Sequence, residues 1–406
     1  MTHRTEILAR ILTTSAAVLS AIALSVTVSA CGKSVKALAD SGKKEMDAGR
    51  YDKAATEFAK AISKNPDRAE YYISYGFALL GSGDMDGALA QFDKAHSDKD
   101  NSIVNRNNKY AYRGRGITLL RQGRYEEACS SFASAAAINV KTDVDTDIDK
   151  YLALSYIKQG NYKDAIKLYS SMLDPQKPDA AVLAARAEAY GAGGEKDKAV
   201  ADYEAAIKAD PNELTYYFEE YEYLINIGDE DAAGTVLEHA AGIKAEGTEG
   251  RYKEGILYYL QGDYENATTC MGEAQKAGIP EADYYFGRIS QKRGDLDGAK
   301  VYYSRYSDSV GGNVTLAGWF DGMAECAVAE GDYDGALRYV KQGLALTDVS
   351  FTKKLLYEEV CLYETQNEYE KAMESAEKYL KLYPDDEAMN KEYTFLYTRT
   401  YKAKKK

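Results

Sequence analysis

The feature that most constrains this chain is a glycine that keeps returning with an alanine five residues behind it. The glycine stands at Gly49, Gly83, Gly123, Gly160, Gly194, Gly228, Gly262, Gly294 and Gly331, and Asn367 takes the next place. The alanines are Ala54, Ala88, Ala128, Ala165, Ala199, Ala233, Ala267, Ala299, Ala336 and Ala372. Successive origins lie 34, 40, 37, 34, 34, 34, 32, 37 and 36 residues apart. A local turn has no need of copies, so a chain that rewrites one phrase is stacking one structural unit. An alanine in every copy marks a place where two helices approach too closely for a larger side chain.

Other offsets agree. Seven residues before the origin stand Gly42, Gly76, Gly116, Ala153, Ala187, Gly255, Gly287 and Ala324, with larger residues at Tyr221 and Val360. Two residues after it come Tyr51, Tyr125, Tyr162, Tyr264, Tyr333 and Tyr369; nine after it, Phe58, Phe92, Phe132, Tyr169, Tyr203 and Tyr303. Apolar residues on both sides of the glycine follow helical spacing. The glycine suits a helix end, where the left-handed conformation is favoured. The six prolines fall at or beside junctions between units.

This pattern resembles the tetratricopeptide repeat, a helix–turn–helix unit, over about residues 35–386. The resemblance implies an all-α fold: a right-handed superhelical solenoid of about ten helix pairs, with residues 387–406 as a capping helix and basic tail. The seams of the sixth, ninth and tenth units look weakened, and a six-residue surplus precedes the third unit. Lys196 and Glu230 stand where the tyrosine is expected.

Residues 1–30 read as an export segment. Arg4 and Arg10 precede an uncharged stretch of small and apolar residues from Ile11 to Ala30, followed by Cys31. The arrangement resembles a bacterial lipoprotein signal peptide, which implies that Cys31 is lipidated and begins the mature chain, with residues 31–34 as a short linker. Two or three acyl chains give stable anchoring where one would not. The expected location is the extracytoplasmic face of a cell membrane or outer membrane.

The remaining residues offer little chemistry. With a net charge of −13, the surface repels a phosphate backbone, so no nucleic-acid partner is expected. His96 and His239 are isolated, and Cys129, Cys270, Cys326 and Cys361 form no Cys-x-x-Cys pair. The acids Asp143, Asp145, Asp147 and Asp149 alternate, but Ile148 and Leu154 stand where a calcium loop wants glycine and glutamate. Those acids read as a solvated linker capping the next helix. No metal, cofactor or catalytic residue is expected, and the chain does not read as an enzyme.

The resemblance instead implies a protein-interaction scaffold binding a peptide or partner protein on its concave face. In that family the exposed positions of each first helix lie two, three, six, ten and thirteen residues before the turn glycine. In units two to four they hold Ile73, Phe77, Leu80, Arg113, Ile117, Leu120, Arg121, Lys150, Leu154, Ile157 and Lys158. Phe77, Arg113, Ile117, Arg121, Lys150, Leu154 and Lys158 form the candidate groove. Apolar anchors beside cations suit a peptide carrying hydrophobic residues and an acid or free carboxylate. Two other readings stay open: an assembly factor for an envelope machine such as a pilus or outer-membrane complex, and a glycan or small-ligand receptor using Tyr252, Tyr259 and Tyr284. The oligomeric state is not fixed by the sequence.

Overall fold

The computed structural model describes residues 34–312, 314–346, 351–384 and 386–403. Among the described residues there are α-helices and no strand, and the fold is an all-α solenoid of helix pairs. The chain divides into two compact units, with the division in sequence between Ala209 and Asp210.

The first unit holds five pairs: α1 (Val35–Asp47) with α2 (Tyr51–Lys64), α3 (Ala69–Gly81) with α4 (Met85–Ala95), α5 (Ser102–Arg121) with α6 (Tyr125–Ala137), α7 (Asp145–Lys158) with α8 (Tyr162–Met172), and α9 (Ala180–Ala192) with α10 (Lys196–Ala209). The second holds α11 (Leu214–Ile227) with α12 (Glu230–Ala240), α13 (Gly247–Leu260) with α14 (Tyr264–Lys276), α15 (Glu281–Lys292) with α16 (Leu296–Ser309), α17 (Ala317–Ala329) with α18 (Tyr333–Leu344), and α19 (Thr352–Thr365) with α20 (Tyr369–Leu382). A last helix, α21 (Glu387–Ala403), packs on α20. Within each unit a second helix packs on the first helix of the next pair. First helices also touch one another from α1 through α7 and from α11 through α17. None of the described helices is long and apolar enough to cross a membrane.

The recurring phrase has a physical explanation at each position. The nine turn glycines take φ between 69° and 88°, and Asn367 takes the same left-handed conformation at 60°. All ten alanines are fully buried. In five pairs an aspartate directly after the turn glycine caps the second helix. Asp84, Asp229, Asp263, Asp295 and Asp332 accept the backbone N–H of Gly87, Ala232, Asn266, Gly298 and Gly335 at 2.9, 3.1, 3.1, 2.9 and 2.8 Å. A cap of this kind contributes about 1 kcal/mol.

Between the two helices of a pair, a ring from the second helix sits on the small residue of the first. A Cβ at Gly42, Gly76, Gly116 or Gly287 would come within 2.9, 2.7, 2.7 and 2.4 Å of Phe58, Phe92, Phe132 and Tyr303. Where the first helix carries Tyr221 or Val360, the facing places are Leu237 and Ala376, both buried. At these offsets volume has changed sides: the larger residue comes from the first helix and the smaller from the second.

The surplus residues are latched rather than loose. Helix α5 is the longest of the first helices, at 20 residues, and it holds both the linker that precedes it and the one between α6 and α7. Asn108 accepts the backbone N–H of Ser97 at 3.0 Å and donates to its carbonyl at 2.7 Å. Buried Lys109 donates to the carbonyls of Ile138 and Val140 at 3.2 and 2.8 Å, and pairs with Asp145 at 2.7 Å. Tyr110 donates to Asp143, and Arg113 pairs with Asp147 at 2.5 Å. Three of the four alternating aspartates therefore answer to one helix. This corrects the reading of that run as simply solvated.

Candidate functional site

Two stretches of first-helix surface carry the polar and apolar side chains that could meet a partner. In the first unit, the expected groove is only partly presented. Phe77, Arg113 and Ile117 are buried at 6%, 2% and 1% exposure. Arg113 is a structural tie, not a groove cation: its guanidinium lies over the Phe77 and Tyr151 rings, 5.7 and 5.9 Å from their centroids, while its Nε donates to Asp147. Phe77 packs edge-on against Phe92 at 5.0 Å, and Ile117 belongs to the same core.

Four of the seven groove candidates remain at the surface. Arg121 is exposed, with one guanidinium N–H donating to the Leu80 carbonyl at 3.3 Å. Lys150, Leu154 and Lys158 are half-buried. Beneath them Tyr151 stacks on Phe132 at 5.2 Å, and its buried hydroxyl has no hydrogen-bond partner. Burial first, then the charge of Asp147, pushes the Tyr151 hydroxyl above the ordinary tyrosine range, so it stays a neutral donor.

The second unit presents a more highly charged face, which the sequence reading did not single out. Asp321 on α17 is fully buried and accepts from Arg288 on α15 at 2.7 Å. Lys354 at the start of α19 lies 2.5 Å from the other Asp321 oxygen, 2.6 Å from Glu325 and 3.5 Å from Glu358. Gln291 donates to Glu325 and accepts from the Tyr303 hydroxyl at 2.7 Å. Burial alone would depress the Arg288 guanidinium and raise the Asp321 carboxyl. The surrounding tyrosines and Asp321 outweigh burial at Arg288, while Arg288 and Lys354 outweigh it at Asp321, so both stay charged. Ile225, Val328 and Tyr357 add exposed apolar surface on first helices of this unit, at 41%, 42% and 51%.

Arg288, Gln291, Asp321, Glu325, Val328, Lys354 and Tyr357 all sit at the offsets from the turn residue that the groove expectation used. Applying those offsets to the last three pairs would have found them. Asp321, Glu325 and Glu358 are also the one set of acids, among the described residues, whose oxygens lie close enough to share a cation, all within 4.8 Å. The Lys354 ammonium is already their common cation.

The other residues with chemical potential have local duties. His96 hydrogen-bonds the Tyr112 hydroxyl at 2.9 Å beside a cleft of about 310 Å³ between α4 and α5, while His239 is exposed. Cys129, Cys270, Cys326 and Cys361 are free thiols. Tyr252 and Tyr284 are buried, and both meet Tyr285 edge-on at 6.0 and 5.1 Å. They belong to the core of the second unit, while Tyr259 is half-buried and meets Tyr285 edge-on at 5.4 Å. Cys31 and the export segment lie outside the described residues.

Residues 40–102, 119–189, 180–213 and 354–386 match models of the tetratricopeptide repeat, so repeats of this kind are present in both units. The chain is 23% identical over 284 residues to DnaJ homolog subfamily C member 3 of Gallus gallus, covering 59% of this chain and 50% of that protein. It is 24% identical over 233 residues to the Homo sapiens protein of the same name, covering 54% of this chain and 38% of that one. The chain thus spans half or less of these curated relatives. A tetratricopeptide repeat protein from Parabacteroides merdae, known from its crystal structure, is 16% identical, with a TM-score of 0.45 over 67% of this chain and 99% of that one.

Proposed function

We propose that this chain is a protein-interaction scaffold, held at a membrane by lipid on Cys31 and working on the extracytoplasmic side. The observation that carries the scaffold reading is the use of the chain. Helix pairs run from Val35 to Leu382, and successive first helices touch from α1 through α7 and from α11 through α17. Such a row offers an extended surface on which a peptide or partner helix can lie. The basic start, uncharged stretch and cysteine at Met1–Cys31 support the anchor.

In the first unit the partner segment would meet Arg121, Lys150, Leu154 and Lys158, which suits hydrophobic residues next to an acid or free carboxylate. Reversing Arg121 and Lys150 to Glu together is expected to weaken partner capture about tenfold or more, about 1.4 kcal/mol or above, with helicity unchanged. The measurement is crosslinking in cells followed by affinity capture from native membranes. Undiminished capture by the folded double variant would move the binding face to the Asp321–Lys354 region. For the anchor, Cys31→Ala should leave unprocessed precursor, and a chain beginning at Gly32 should be soluble without detergent.

A further inference from the structure

The charge around α19 does not balance if every acid there is ionised. Arg288 and Lys354 bring two positive charges to Asp321, Glu325 and Glu358, which would bring three negative ones. Two buried oxygens in this group, Asp321 Oδ1 and Glu358 Oε2, have no aligned hydrogen-bond donor, although Lys354 is near the first as an ion-pair partner. One proton on Glu358, donated towards Asp321, corrects both the charge and the missing donor. A second pair of carboxyls lies further along the helix, where Glu364 of α19 hydrogen-bonds Glu392 of α21 beside Arg399.

We propose that α19 is a proton-operated clasp, fastened to α17 through Glu358–Asp321 and to α21 through Glu364–Glu392, and released when the shared protons leave to solvent. Burial, then the Asp321 carboxylate, pushes Glu358 up to about 8; burial, then the bond to Glu392, pushes Glu364 up to about 7. The other charged groups packed around α19 are committed elsewhere. Lys341 of α18 and Lys371 of α20 lie over the Tyr363 ring at 5.3 and 5.5 Å, and Lys353 pairs with Asp386 at 3.2 Å. Glu359 accepts from Ser375 of α20 at 2.8 Å.

The direction follows from linkage. An unfolded glutamate titrates near about 4.3, so both acids hold their protons more tightly in the folded chain. The folded state therefore binds more protons than the unfolded one between about pH 4.5 and 8. The clasp is at full strength below that window, weakens as pH rises through it, and is lost above about pH 8.

The test uses the full chain. Hydrogen exchange at pH 6 and pH 9, corrected for intrinsic rates, should show protection of residues 352–403 falling about tenfold or more, with residues 180–209 unchanged. Infrared difference spectra of the same chain should show a protonated carboxylic C=O stretch at pH 6 that disappears between about pH 7 and 8. The double variant Glu358→Gln, Glu364→Gln keeps a donor without a titrating charge, and its protection at pH 9 should match that at pH 6. Absence of the infrared band from the unsubstituted chain would overturn the proposal even if the variant failed to fold. So would pH-independent protection, or recovery at pH 9 on adding calcium or magnesium, which would make the carboxylates a cation site.

Discussion

Two groups of buried charge, around Arg113 in the first unit and around Asp321 in the second, are built in opposite ways. In the first unit, Lys109 and Arg113 each take one main acid partner, Asp145 and Asp147, and both partners sit at the edge of a surplus linker. These ion pairs fasten chain that the repeat geometry alone would leave loose. In the second unit, Arg288, Asp321, Lys354, Glu325 and Glu358 form one connected group across three helix pairs. The group joins consecutive first helices directly, and its Arg288 also lies over the Phe351 ring at the entry to α19. A solenoid stabilised by neighbour-to-neighbour interfaces can thus put ions either into closing an irregularity or into joining regular units.

The largest effect should come from the connected group. Asp321→Ala strands the Arg288 guanidinium and removes a partner from Lys354, and breaking a buried ion pair costs about 3–5 kcal/mol. Chemical denaturation of the full chain should show an earlier loss of structure confined to the second unit. Equal loss in both units would mean that the two groups are not energetically separate.

The alanine seats give a control for that comparison. Ala165 and Ala336 are both fully buried, one in each unit. Ala165→Leu and Ala336→Leu each force extra carbons into a helix contact, at about 1–3 kcal/mol. If the units differ only in their ions, the two substitutions should cost the same within error. Exchange should rise mainly in the altered pair and its neighbours. A uniform rise along the chain would break this picture.

Next is Lys109→Met, which takes the ammonium donor from the Val140 carbonyl, while the Ile138 carbonyl keeps the Val140 N–H and Asp145 keeps the Thr142 N–H and hydroxyl. Asp145 is partly exposed and water can replace its partner, so about 1–2 kcal/mol is expected, near the lower part of the range for a lost buried partner. Exchange should rise at residues 138–144 and stay unchanged in the second unit. An effect as large as that of Asp321→Ala would erase the distinction between a latch and a connected group.

What could be read without the structure follows the same division. The alanine seats, the turn glycines and the stand-in Asn367 were legible, because each depends on a fixed offset inside one unit. The volume exchange at Tyr221 with Leu237 and at Val360 with Ala376 was written in the sequence too, but it needed both members to be read together. Arg113 was misread because its position matches a groove offset, whereas its fate depends on Asp147, 34 residues away and brought close by an irregular linker. Glu358 lies nine residues before Asn367, one place off the groove offsets, so no register rule would have joined it to Asp321. Offsets report what a repeat does on its own; contacts between repeats need the packing.

The smallest effect should come from an ion pair that also crosses between repeats but is not buried. Lys300 on α16 meets Glu330 at 2.5 Å, and both side chains are close to half exposed. Water screens the pair, and holding two long side chains together offsets much of the attraction. Lys300→Ala should leave the denaturation midpoint unchanged, at low and at high salt. A loss comparable to that of Lys109→Met would mean that the number of cross-repeat charges, not their desolvation, sets the strength of these interfaces. The contrast between latch and connected group would then need another cause.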